Sequence, residues 1–335
     1  MAVTLLTVAP SAMASCSTRP PVADVVRGQQ HGMVLPTWDQ DGYEQPDTDP
    51  ALRAIAGVGA RWVQIVPTWY QPTRTADQIS PDEGTPSDRG VRNAISLAHE
   101  RGLKVLLKPH VDPLDKTDRH QISPSNPATW FASYSTFITH YAEIAADLGV
   151  EEFAVGTELN GVSGDRARWL RVIESVRERY SGVLVYAAGT DYATVPFWDA
   201  LDLVGIDVYR PLATGPTTDA GTLMRGWEPY RAELAAFAAR VGRRILFTEA
   251  GFASQRGTVT APWDWTLSRE PAQAEQAAGY RSLLETFSDQ PWWAGVYWWV
   301  WAVLKGEPHE SLGFTVRGKT AEAVVREWWG TERAP

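Results

Sequence analysis

Cysteine is nearly missing from this chain of 335 residues, which holds one, Cys16. A single thiol excludes an intramolecular disulfide and any cysteine-based metal site. Histidine is sparse as well. The six His are scattered, with no pair at the helical spacing that metal ligands use, so neither a metal nor a cofactor is expected. Basic charge is in deficit, with 31 Lys and Arg against 40 Asp and Glu and a formal charge of −9. That balance argues against nucleic acid as a partner, because phosphates draw Lys and Arg clusters. No apolar run approaches the roughly 20 residues of a membrane span. No Gly-rich phosphate fingerprint follows the first predicted strand, which weakens a dinucleotide-binding reading.

Tryptophan, by contrast, is in excess at sixteen residues. A Trp-rich core absorbs part of them, and the rest are spare for flat apolar platforms of the kind that suit the faces of sugar rings. The N-terminus, "MAVTLLTVAPSAMASC", has a short apolar stretch followed by small residues, as an export signal does. Two cleavage readings compete there. "AMA" before Ser15 fits an ordinary signal peptidase, and "MASC" resembles a bacterial lipobox with Cys16 as the lipidated residue. Either way export is expected, to the cell envelope or the medium. Residues 1–28 then read as signal plus a linker rich in Pro, Ser and Arg, and 29–335 as one catalytic domain. Nothing demands more than a monomer.

The body repeats one unit: a short apolar run, polar loop residues, then a helical pattern. Eight such runs occur: "HGMVLPTW", "WVQIVPTWY", "KVLLKPHVD", "EFAVGTEL", "VLVYAAGT", "LVGIDVY", "ILFTEAGF" and "GVYWWVW". Among the helices between them, "TPSDRGVRNAISLAHERG" groups Val91, Ile95, Leu97 and Ala98, with Thr85 as the expected N-cap and Pro86 at the first helical position. Strands alternating with helices imply a parallel sheet covered by helices. Eight repeats without a change of composition predict a single (β/α)8 TIM barrel, α/β in class.

In such a barrel the site lies at the C-terminal strand ends, and chemically capable residues gather there. The third run ends with Lys108, His110 and Asp112, the fourth with Glu158, the sixth with Asp207 and Tyr209, and the seventh with Glu249. Two carboxyl groups from opposite sides of one mouth suggest glycoside hydrolysis, one to protonate the departing oxygen and one to act at the anomeric carbon. Lys108 and His110 stand two apart and are expected to face the mouth, bonding sugar hydroxyls or a carboxylate. Trp69 and Tyr70 read as sugar platforms. Trp263 and Trp265, in "TAPWDW", either wall a cleft or pin their loop.

The stretches "TPSDRGVRNAISLAHERGLKVLLKPHVD", "AVGTEL", "LDLVGIDVYRPL", "TEAGF" with "PWDW", and "GFTVRGKTAEAVVREWW" resemble glycoside hydrolase family 113. That family lies in clan A of the retaining glycoside hydrolases and is known for β-1,4-mannanases. The resemblance runs from about residue 60 to the C-terminus. It implies Glu158 as acid/base, Glu249 as nucleophile, and Tyr209 donating its hydroxyl to Glu249. It also implies a tryptophan floor from the eighth strand. Trp298 and Trp299 face opposite ways on a regular strand, and Trp298 is the expected one. Thr157 stands where most of the clan has Asn, and family 113 shares this Thr. A changed contact at that position is compatible with the axial 2-hydroxyl of mannosides. The expected partner is therefore a β-mannan or glucomannan. A β-glucan or other β-glycan substrate and a non-catalytic glycan-binding lipoprotein are the competing readings. Asn160, two residues past Glu158, has no assigned role.

Overall fold

The computed structural model describes residues 22–301 and 312–330. Its strands are β1 (Gln30–Pro36), β2 (Trp62–Val66), β3 (Thr68–Gln71), β4 (Lys104–Leu107), β5 (His110–Pro113), β6 (Glu152–Thr157), β7 (Val183–Ala188), β8 (Leu203–Val208), β9 (Ile245–Ala250) and β10 (Trp293–Trp298). Eight of them close a parallel barrel in the order β1-β10-β9-β8-β7-β6-β4-β2, while β3 and β5 form a separate two-stranded sheet. The expected eightfold barrel is therefore present.

The second and third apolar runs differ from expectation, because each is two strands rather than one. Both break at a proline, Pro67 and Pro109, which has no N–H to continue a ladder. Beyond the breaks the chain pairs again, Thr68 with His110 and Tyr70 with Asp112, so a small parallel ribbon extends past the barrel wall.

Period-two alternation divides the strand side chains between two apolar layers. Val34, Trp62, Val66, Leu106, Ala154, Val185, Leu246 and Tyr297 form the barrel interior. Met33, Leu35, Val63, Ile65, Phe153 and Phe247 join the cluster that packs under the helices. Helices on the outside bury that second face, which explains why these strands read as nearly continuous apolar runs.

Two local expectations are corrected. The sequence predicts a linker up to about residue 28, yet Val22–Arg27 form a short helix with Val25 buried. Val25 joins the barrel-interior cluster, and Arg244 ties the segment down by donating to the carbonyls of Val26 (2.6 Å) and Gly28 (3.0 Å). Cys16 and the signal-like stretch lie outside the described residues. The helix expected to start at Pro86 begins at Asp88, and its N-cap is Ser87, whose hydroxyl accepts from the Gly90 amide. Thr85 donates instead to the Thr68 carbonyl at 2.7 Å, which anchors the ribbon rather than the helix.

Candidate active site

Three barrel strands deliver one buried ionic cluster. Lys108, just past β4, is fully buried, and its Nζ donates to both Asp207 oxygens (3.1 and 3.0 Å) and to Glu249 Oε1 (2.6 Å). Asp207, on β8, also accepts from Thr248 Oγ1 at 2.6 Å. Tyr209 donates to the second Glu249 oxygen at 3.1 Å, as the resemblance implied. Burial works against the Lys108 charge, but Asp207 and Glu249 outweigh it and raise its pKa. The ammonium persists, and with it a reason for the neighbouring carboxylates to ionise.

Glu158 sits under different constraints. It follows the last residue of β6 and adopts the left-handed region, φ 51°, which is uncommon for a residue with a Cβ. Two bonds to β7 hold the turn: Glu158 N–H donates to the Ala187 carbonyl (2.7 Å), and Leu159 N–H donates to the Tyr186 hydroxyl (3.1 Å). Its side chain is 30% exposed against 7% for Glu249. The cation beside it is Arg119, 3.6 Å from Oε2, and Arg119 is itself bound to Asp112 at 2.7 Å.

These partners separate the two glutamates. Burial raises the Glu158 pKa, Arg119 opposes the rise, and the Glu249 charge adds to it. Burial and Asp207 raise that of Glu249 as well, with Lys108 pulling it back. Glu249 has two short-range donors that favour its charged form, whereas Glu158 has one more distant cation. Glu249 is therefore the first of the pair to ionise, and its charge then helps keep Glu158 protonated. That is the division of labour an acid and a nucleophile require.

Two basins open above this cluster. The larger, about 790 Å³, is lined by Glu158, Tyr209 and Glu249 together with Trp38, Tyr70, Leu114, Trp263, Trp265, Trp299 and Phe314. The smaller, about 290 Å³, is lined by Glu158, Asn160, Gly189, Thr190, Tyr192, Asp207, Tyr209, Arg210, Tyr230 and Trp263, among others. Trp38, Trp263 and Trp265 are 44, 54 and 65% exposed. All three border the larger basin, where they present flat apolar surface.

Most of the expected site residues converge here: Glu158, Glu249, Lys108, His110, Asp207, Tyr209, Tyr70 and Trp263. His110 is buried with Nε2 3.9 Å from Glu249 Oε1, and neither ring nitrogen has a partner among the described residues. Burial, Arg119 and Lys108 hold it neutral by pushing its pKa well down.

Three expectations fail. Trp298 is not the floor, because it is fully buried and stacks on Tyr280 at 4.0 Å. The cause is an irregularity at Gly295 (φ 129°), where the pairing with β9 slips between Trp293 and Gly295 and again between Val296 and Trp298. After it Tyr297 faces the interior and Trp298 the helices, so Trp299 emerges in the larger basin. Trp69 turns away from the mouth and packs on Phe137, His140 and Tyr141. Thr157 is buried, lines neither basin, and its hydroxyl has no partner among the described residues. Sequence reasoning also missed residues, namely Arg119, Trp38, Leu114 and Arg210. Trp38 ends the first apolar run and Arg210 follows the sixth, while Leu114 and Arg119 lie past the end of the third, and the only local signal was the surplus of Trp.

A closed (β/α)8 barrel with two electrostatically distinct carboxyl groups under an aromatic-lined mouth defines a glycoside hydrolase. This chain belongs to glycoside hydrolase family 113, whose family model matches residues 36–319. It is similar to the family 113 β-mannanase of Alicyclobacillus acidocaldarius, solved in complex with ManMIm, at 28% identity over 90% of this chain and 97% of that one, with a TM-score of 0.83. A further solved family 113 β-1,4-mannanase is 25% identical over 91% of this chain and all (100%) of that one, with a TM-score of 0.84. A family 5 enzyme of Bifidobacterium longum, solved with Manβ1-4GlcNAc, shares the fold at 17% identity and a TM-score of 0.61, over 91% of this chain and 79% of that one. No curated protein matches the sequence.

Proposed function

We propose that this hydrolase cleaves β-1,4-mannan or glucomannan with retention of anomeric configuration, by double displacement. Ionised Glu249 attacks the anomeric carbon. As the glycosidic C–O bond breaks, Glu158 gives its proton to the departing oxygen, and the glycosyl group is left esterified to Glu249. Water then attacks the same carbon from the opposite face, Glu158 takes a proton from that water, and the Glu249 carboxylate leaves. The observation that carries this assignment is the unequal support of the two glutamates: Lys108 at 2.6 Å and Tyr209 at 3.1 Å on Glu249, against Arg119 at 3.6 Å on Glu158. Trp299 supplies the floor of the sugar being cleaved, and His110, neutral beside Glu249, is a partner for a sugar hydroxyl. The mannan assignment draws on the β-mannanases among the solved relatives. Its test is proton NMR of manno-oligosaccharide hydrolysis: the β-anomer should appear first and mutarotate later. Initial release of the α-anomer would refute retention, and cleavage of cello- but not manno-oligosaccharides would refute the substrate.

The reading extends to location. An exported enzyme lipidated at Cys16 is supported by the signal-like sequence and the sole cysteine. Labelling of the native protein by a fatty-acid probe, lost in Cys16→Ser, tests the anchor. Soluble release of unlabelled protein would favour cleavage before Ser15.

A further inference from the structure

The two glutamates stand on unlike backbone. Glu249 lies within strand β9, whereas Glu158 lies just past the end of β6 in the left-handed region, φ 51°. That conformation is strained for a residue with a Cβ and persists only where its surroundings impose it. The side chain is loosely held as well, with Arg119 3.6 Å from Oε2. The aim of the carboxyl therefore depends on the backbone beneath it.

Strand β6 bulges just before this turn. Ala154 pairs with Val185 and Thr157 with Ala187, so β6 carries one residue more than β7 over the same stretch. Gly156 sits in the bulge, and a Cβ there would stand 2.7 Å from the Tyr186 ring and 2.8 Å from that of Trp169. The missing side chain lets the Tyr186 ring lie close against the strand. Tyr186 faces the helices, fully buried and packed by Trp169, Phe197 and Trp198. From there its hydroxyl accepts from the Leu159 N–H at 3.1 Å, the amide that directly follows Glu158. Burial holds the phenol well above its ordinary pKa, so the hydroxyl stays neutral.

We propose that Tyr186 is a positioning residue for the acid: its hydroxyl fixes the Leu159 amide, and with it the left-handed turn that aims Glu158 at the glycosidic oxygen. This rests on the retaining mechanism above, with Glu158 as the proton donor. Leu159 is buried, and an unmatched amide there would cost about as much as the left-handed turn itself stores. Loss of the hydroxyl is therefore enough to let the turn relax. The bond from Glu158 N–H to the Ala187 carbonyl, 2.7 Å, remains, so the turn shifts rather than unfolds, and the carboxyl moves with it. A second hydroxyl serves as the comparison. Tyr134 donates to the Val155 carbonyl at 2.8 Å, in the same bulge but upstream of Glu158.

The test contrasts two leaving groups. A departing sugar needs the proton from Glu158, and a dinitrophenolate leaves without one. On both, kcat/KM reads the step that forms the glycosyl-enzyme. Tyr186→Phe keeps the packed ring and removes the bond. It should lose about tenfold or more in kcat/KM on manno-oligosaccharides and stay within about twofold on a dinitrophenyl β-mannobioside. Tyr134→Phe should lower Tm without that split. Glu158→Ala sets the reference and should show the split in full. Equal losses on both substrates in Tyr186→Phe, no loss on either, or the same split in Tyr134→Phe would overturn the positioning role. A Glu158→Ala variant without the split would instead strike the assignment of the acid, and this proposal with it. Should the wild type cut another β-glycan in place of mannan, the oligosaccharides and dinitrophenyl glycoside of that sugar give the same comparison.

Discussion

The barrel contains two buried acidic groups, one near each end, and they are handled in opposite ways. At the mouth, Asp207 and Glu249 share Lys108, and every pairing is 3.1 Å or shorter. Deeper inside, Glu152 on β6 is fully buried and accepts from Gln30 Nε2 at 2.6 Å. Gln30 in turn accepts from the Tyr297 hydroxyl at 2.7 Å, and no described cation pairs with Glu152. Burial raises its pKa to about 8. The contrast teaches what Lys108 does. A carboxylate costs several kcal/mol to desolvate unless a charge or strong donors compensate. The inner glutamate escapes the cost by staying protonated, whereas at the mouth a buried lysine opposes the burial that raises both Asp207 and Glu249.

Breaking the mouth cluster should have the largest effect. Lys108→Met leaves Asp207 and Glu249 buried without their cation. Glu249 should then be protonated near neutrality, and kcat should fall by about 10³-fold or more. A Tyr209→Phe variant removes one donor and should lose about 10- to 100-fold. Steady-state kinetics on manno-oligosaccharides checks both. A Lys108→Met enzyme with near-normal kcat would show that the cluster is only structural.

Arg119 offers a subtler intervention. It favours the charged form of Glu158, so Arg119→Met should raise the Glu158 pKa further and move the alkaline limb of kcat/KM to higher pH. A lysine there should restore part of the wild-type profile. An alkaline limb that stays in place would mean the 3.6 Å pair has no influence on the acid.

The smallest effect is expected deep in the barrel. Glu152 is raised from its ordinary 4.5 to about 8, so between those values the folded protein binds a proton that the unfolded chain has lost. Its contribution to stability is therefore present below about 4.5 and declines as pH rises toward 8. Glu152→Gln keeps the shape without the titration. It should raise Tm more at pH 8 than at pH 5, with little effect on activity, as thermal melts at the two pH values would record. An equal change at both would refute the neutral-glutamate account.

What was legible in the sequence follows from where information is local. Glu158, Glu249, Asp207 and Tyr209 end apolar runs of a repeating unit, and the barrel rule points those ends at one mouth. Trp298 and Trp299 could not be told apart, because the slip at Gly295 resets the alternation and depends on pairing with β9. Trp69 failed for a related reason, since it lies beyond the break at Pro67, on a ribbon whose facing is set by β5. Arg119 reaches Glu158 from a short turn far away in sequence, and no spacing announces such a contact. Thr157 helped to narrow the family although its side chain lines neither basin.

The most direct test of the two-glutamate account is covalent trapping. The wild-type enzyme, incubated with a 2-deoxy-2-fluoro-β-mannosyl fluoride and digested, should yield one peptide heavier by the fluorosugar, with the label on Glu249. Label on Glu158 or Asp207, or turnover without any trapped ester, would contradict it.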